Sequence, residues 1–215
     1  MGVARALAGL AMFALGTGCP WQNATVSVPA AGKVASDYRV WGAPAVLLTT
    51  PFVDARPDRS RCGVRKAGSS ESASVTCSAP PAQWLAELVA QQLRAAGFLV
   101  FENEAPPGGP VIRIEGFLSQ LFIEPDVQAW PGGGRYVPEA DIAVTLVARG
   151  RQFEAERRFY FKGLGDWNGG GLESNFQFAL DNSVRDTLNG LVSAITEVVT
   201  LAPRFDAYAC SSTRK

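Results

Sequence analysis

One apolar stripe near the end of this 215-residue chain constrains its fold more than any other feature. Phe176, Leu180, Val184, Leu188, Leu191, Ile195, Val198 and Val199 recur at spacings of three and four, so a helix over 174–201 has one apolar and one polar face. Ser174 and Gln177 have capping-box spacing at its start, and Pro203 is expected to end it. A helix so divided must lie on something, and the preceding sequence offers strands. Ala45–Val53 is a near-continuous apolar run, as in a strand buried on both faces. Val111–Ile123 alternates, with Ile112, Ile114, Gly116 and Leu118 on one face and Val111, Arg113, Glu115 and Phe117 on the other. Ala140–Ala148 and Gln152–Lys162 are two further strands, joined by a turn at Arg149-Gly150-Arg151.

A second helix is predicted over Pro81–Ala96. Leu85, Leu88, Val89, Gln92, Leu93 and Ala96 keep its period, prolines open its first turn, and Gly97 suits the left-handed position after its end. Phe98–Phe101 then reads as a strand, and strand-helix-strand implies a parallel pair with a right-handed crossover. Asp54–Ala79 reads as an excursion with a hairpin arm at Gly63-Val64-Arg65, and Glu124–Pro138 and Gly163–Gly171 as loops. The order β-α-β-β-β-β-α gives an α+β two-layer domain: a mixed sheet of about five strands with two helices on one face.

The first residues have the layout of an export signal: Arg5, an uncharged apolar run Ala6–Leu15, then the small residues Gly16-Thr17-Gly18. The expected organisation is a signal over 1–18, a tether over 19–42 with a short strand near Val26, one domain over 43–202 and a polar tail over 203–215. No later run is long and apolar enough for a membrane helix.

Composition excludes several functions. Twenty basic and twenty acidic residues balance, and no basic block suggests nucleic acid. The chain has no histidine, which removes Ser-His-Asp, Cys-His and His-based zinc chemistry. No spacing selects a carboxylate pair, a metal set or a cofactor loop. The glycines at 163–171 precede a helix but lack the Lys-Ser/Thr of a phosphate loop. The expectation is a protein that is not an enzyme and holds no metal or cofactor.

In an oxidising compartment Cys62 and Cys77 are the first pairing, closing a short polar loop. The alternative bridges Cys210 to one of them. Two candidate binding surfaces stand out. Asp54, Arg56 and Asp58 follow the first strand, either as a recognition turn or as a turn capped by its own side chains. Trp130 and Trp167 lie in the two glycine-rich loops, either as an exposed patch or folded back on the sheet.

Small residues followed by Cys19 resemble the lipobox of bacterial lipoproteins. That resemblance implies a diacylglycerol on the Cys19 thiol, cleavage before it, acylation of the new N-terminus and a membrane anchor in the envelope. Gly16 stands where that family prefers an aliphatic residue, so ordinary cleavage with an unmodified Cys19 is the alternative. Pro20, not an acidic residue, follows, which favours the outer membrane over the inner.

Asp54-Ala55-Arg56-Pro57-Asp58, Gly63-Val64-Arg65, Gly97-Phe98 and the last helix with Leu188 and Leu191 together resemble the YajG-type family of envelope lipoproteins. The layout is also similar to LpoB-type activators of peptidoglycan synthases and to auxiliary lipoproteins of lipid-handling transporters. These resemblances imply a non-catalytic adaptor or assembly component that binds an envelope protein, or a small-molecule or lipid carrier serving a transporter.

Intact-mass analysis of the full chain from its native envelope tests the address. A mature protein starting at Cys19 with added acyl mass is expected; an unacylated start there would contradict lipidation.

Overall fold

The computed structural model describes residues 23–35, 39, 46–67, 70–105, 111–130, 133–151, 153–165 and 172–212, with backbone alone at 67, 70, 72, 126–130, 133–136, 172–173 and 201–212. The expected signal, Cys19 and Trp167 lie outside these residues.

The fold is α+β. Its strands are β1 (Ala24–Val26), β2 (Val46–Thr49), β3 (Val53–Asp54), β4 (Gly63–Ala67), β5 (Ser70–Cys77), β6 (Leu99–Glu102), β7 (Ile112–Trp130), β8 (Gly133–Arg149) and β9 (Glu154–Leu164). Two helices, α1 (Pro81–Ala96) and α2 (Leu172–Ser212), complete it. The nine strands among the described residues form one mixed sheet, larger than the expected five.

The antiparallel ladder of β7 with β8 is the sheet's axis, pairing Arg113 with Arg149 at one end and Trp130 with Gly133 at the other. Glu124–Pro138, expected as a loop, is therefore the far half of a long hairpin. Pro125 and Pro138 suggested a loop, yet they pair directly with each other. Gly165 N–H donates to Pro138 O at 2.6 Å. Since the N and O of one strand residue point the same way, Pro138 faces away from β7 and its missing N–H costs the hairpin nothing.

Along the other flank of β7 run β2, β3 and β4 in succession, all parallel to it. The expected single strand over 45–53 is thus broken at 50–52. β6 pairs in parallel with β2, as predicted. β4 and β5 form the expected hairpin arm, and β1 adds to β5. The 19–42 segment is consequently not all tether: Ala24, Val26 and Val34 are buried. Ser27 is held by the Gln177 side chain, which accepts from its N–H at 2.8 Å and donates to its O at 3.2 Å.

α1 ends at Gly97, whose φ of 106° is left-handed, as predicted. α2 continues through Pro203 to Ser212, past the expected stop and into the expected polar tail. A proline deletes one intrahelical bond and crowds one turn, so a helix can pass through it with a local kink.

Both helices pack on one face of the sheet. A β-bulge between Leu118 and Gln120 changes which residues of β7 reach that face. Before it, Ile114 and Leu118 are buried; after it, Leu121 and Ile123 are. Ala140, Ile142, Val144, Leu146 and Ala148 of β8 complete the sheet side of the core, and Leu85, Leu88, Leu93, Leu180, Leu188 and Leu191 the helix side. Each fully buried leucine stabilises the fold by about 2 kcal/mol. Glycine permits the close approach of α2 to β9: a Cβ on Gly163 would lie 2.3 Å from both Ala179 O and Ser183 N, and one on Gly190 2.4 Å from the Phe161 ring.

Candidate binding surface

The sheet face away from the helices is built from the alternate residues of the same strands. On β7 it carries Arg113, Glu115 and Phe117 before the bulge and Gln120, Phe122 and Glu124 after it. Register places Val147, Thr145, Ala143, Asp141 and Glu139 of β8 beside them. Next come Glu156, Arg158, Tyr160, Lys162 and Leu164 of β9. Val53 sits beside Phe117, and Leu99 and Phe101 of β6 occupy the corner beyond β2.

Among the described residues, this face carries five of the seven exposed large hydrophobic side chains: Val53, Leu99, Phe101, Tyr160 and Leu164, the other two being Val28 and Phe178. Charged groups between them are largely paired. Arg149 bridges Glu115 and Glu154, Lys162 meets Glu139 at 2.5 Å, and Lys66 meets Glu124 at 2.5 Å. Arg61 lies over the Phe122 ring at 5.9 Å. Hydrogen bonding to the Asp141 carboxylate holds the Tyr160 phenol above its ordinary pKa, aided by partial burial. Hydrogen bonding to Glu139 holds Lys162 above its own. Asp141 Oδ1 is buried without a hydrogen-bond partner among the described residues. A buried acceptor in that state costs about 1–3 kcal/mol.

Asp54, Arg56 and Asp58 form a turn held by its own side chains. The chain leaves β7 after Asp54 and rejoins it at Gly63. Arg56 folds inward across this detour, its side chain only 3% exposed. Nε and Nη2 donate to the two Asp54 carboxylate oxygens at 2.9 and 2.8 Å, and Nη1 donates to Arg61 O at 3.1 Å. Nη1 also lies 3.7 Å from Cys62 Sγ. Asp58 accepts from Ser60 N–H and O–H and from Arg61. The turn is a clasp closed by its own side chains.

A disulfide between Cys62 and Cys77 fastens the base of the β4–β5 arm, its Cα atoms 5.7 Å apart. Closing a loop of about 15 residues stabilises by roughly 3 kcal/mol in the chain-entropy model. Trp130 is the last residue of β7, at the hairpin tip rather than in a loop.

Phe117 was placed on one face of its strand without a role, and Phe122, Asp141 and Tyr160 were missed. The three aromatic residues had a signal: they stand at positions of the alternation otherwise given to charge. A groove of about 350 Å³ also went unpredicted. It lies between the first turns of α1 and the ends of β2 and β6, lined by Thr49, Phe52, Gln83, Glu87, Glu102 and Asn103 among others.

No family model matches the chain, and no curated protein matches its sequence. Among solved structures it is similar to protein XCC0632 from Xanthomonas campestris, of the family model DUF330. The TM-score is 0.61 at 13% identity, covering 85% of this chain and 99% of that one. At that identity the likeness is one of fold. Looser overlaps occur with a Helicobacter pylori protein described as a homolog of neuraminyllactose-binding hemagglutinin (TM-score 0.47, 10% identity, 81% of this chain and 96% of that one). Lipoprotein GNA1162 from Neisseria meningitidis is looser still (TM-score 0.30, 12% identity, 73% and 99%). Neither of these two carries an argument here.

The clasp makes stability depend on pH. Asp54 is held below the ordinary carboxylate pKa, chiefly by the Arg56 side-chain bonds against an opposing desolvation. A depressed folded-state pKa contributes stability that is complete above the unfolded value, about 3.9, and is lost as pH falls through the folded one. Asp54→Asn is therefore expected to be less stable than the parent protein in urea at pH 7, with the gap narrowing below about pH 4. A gap independent of pH would contradict the clasp.

Proposed function

We propose that this is a non-catalytic envelope lipoprotein of YajG type, anchored through Cys19, which binds another protein with the open face of its sheet. The observation that carries the reading is the concentration of exposed apolar side chains on that face. Its charges are mostly satisfied in pairs, so a partner can bury Val53, Leu99 and Phe101 without stranding many ions. Burial of such residues inside a polar rim is how protein interfaces obtain their affinity. The resemblance to envelope lipoproteins and the outer-membrane sorting suggested by Pro20 supply the setting.

The space between helices and sheet supports binding at the surface rather than carriage of a lipid. Phe176, Leu47, Ile114, Leu118, Ile142 and Leu188, all under 2% exposed, fill it. The carrier reading finds support only in the groove beside α1, whose volume of about 350 Å³ suits a small polar molecule.

Capture from crosslinked envelopes tests the proposal. A specific partner should be recovered with the parent chain. Val53→Asp with Leu99→Asp should reduce recovery by roughly tenfold or more, while Phe178→Asp on α2 should leave it unchanged. Equal recovery by all variants, or no partner under any crosslinking condition, would overturn it.

A further inference from the structure

Sheet edges are where a β protein meets other chains, and here the edges differ. At β6, Val100 O accepts from Arg94 at 3.3 Å and Glu102 O from Glu104 N–H at 2.8 Å. Beyond β1, Gln177 occupies both the N–H and the O of Ser27. β9 pairs only with β8, so its other edge carries no strand among the described residues.

The phase of that edge follows from two bonds. Gly150 N–H donates to Phe153 O, and Gly165 N–H to Pro138 O. Residues 153, 155 and onward to 165 therefore exchange bonds with β8, and the even-numbered residues of β9 point their N–H and C=O outward. Leu164 O accepts from Asn182 and Glu156 O from Arg157. Between them Arg158, Tyr160 and Lys162 present a run of backbone donors and acceptors.

Charges commonly guard such an edge against pairing. On β9 they are ordered to match a copy of themselves. We propose that β9 pairs antiparallel with β9 of a second copy, about a twofold axis at Phe159. This register spans all of β9. It sets Glu156 opposite Lys162 of the partner subunit and Arg158 opposite Tyr160 of the partner subunit, each contact made twice. On the helix-side face, Phe159 meets its own equivalent and Arg157 meets the partner subunit's Phe161. Sliding by one pairing step one way brings Arg158 against its own equivalent. Sliding the other way brings Arg158 against the partner subunit's Lys162. Like charges directly opposite destabilise a ladder, so of these three registers only the one centred on Phe159 is free of repulsion. A twofold contact of this kind is self-limiting. It joins two sheets into one and sets their open faces side by side. The dimer is independent of the partner-binding reading, because it uses the edge of β9 rather than Val53 or Leu99.

Native mass spectrometry of the full chain released from detergent counts the copies. The parent chain should be dimeric. Glu156→Lys or Lys162→Glu alone should weaken the dimer by roughly tenfold, since symmetry repeats each repulsion, and the two together should restore it. Arg158→Pro removes an outward N–H that no described residue uses, so it should give a folded monomer whose melting temperature no longer rises with protein concentration as the parent's does. A parent chain monomeric at every concentration would overturn the proposal. So would a dimer indifferent to these substitutions, or a double swap as weak as the single ones.

Discussion

The ladder between β7 and β8 is the constraint on which everything else depends. It runs from Arg113–Arg149 to Trp130–Gly133 and gives every other element its place. β2, β3 and β4 line one flank of β7, and β9 lines the outer flank of β8. Because side chains alternate, this ladder also decides which residues face the helices. The bulge between Leu118 and Gln120 shifts that phase once, and the Asp54–Arg56 clasp closes the detour of the neighbouring chain on the same stretch of β7.

The two faces of the sheet then have separate fates. One is sealed by α1 and α2, close enough that Gly163 and Gly190 cannot carry a side chain without displacing α2 or Phe161. The other is left open, with apolar groups among paired charges. A closed core and an open face together suit a protein that binds at its surface. Cys62–Cys77 and the Asp54–Arg56 clasp brace the β4–β5 arm.

Much of the architecture was legible because it rests on local periodicity. The stripe from Phe176 to Val199, the helix ending at Gly97 and the turn at Gly150 each follow from a few adjacent residues. The second half of the β7–β8 hairpin was hidden because two prolines mean a loop unless they face each other outward, and pairing is not visible in one sequence. β1 was legible only as a short strand near Val26 inside the tether, because three residues beside a polar stretch have no period of their own and do not show what they pair with. Arg56 was ambiguous for a related reason: whether an arginine in a turn faces inward depends on the carboxylate and the backbone that fold against it. The open face was half legible, since Arg113, Glu115 and Phe117 were grouped on one face of their strand, while Phe122, Asp141 and Tyr160 were passed over.

Hydroxyl-radical footprinting compares exposure in the intact envelope with exposure in the purified chain, and tests most directly whether the open face is the working surface. Phe101 on that face and Phe178 on α2 serve as internal reporters, at 39% and 45% exposed. The account predicts that Phe101 is protected in the envelope while Phe178 is modified equally in both settings. Equal modification of Phe101 in both, or protection confined to α2, would contradict it.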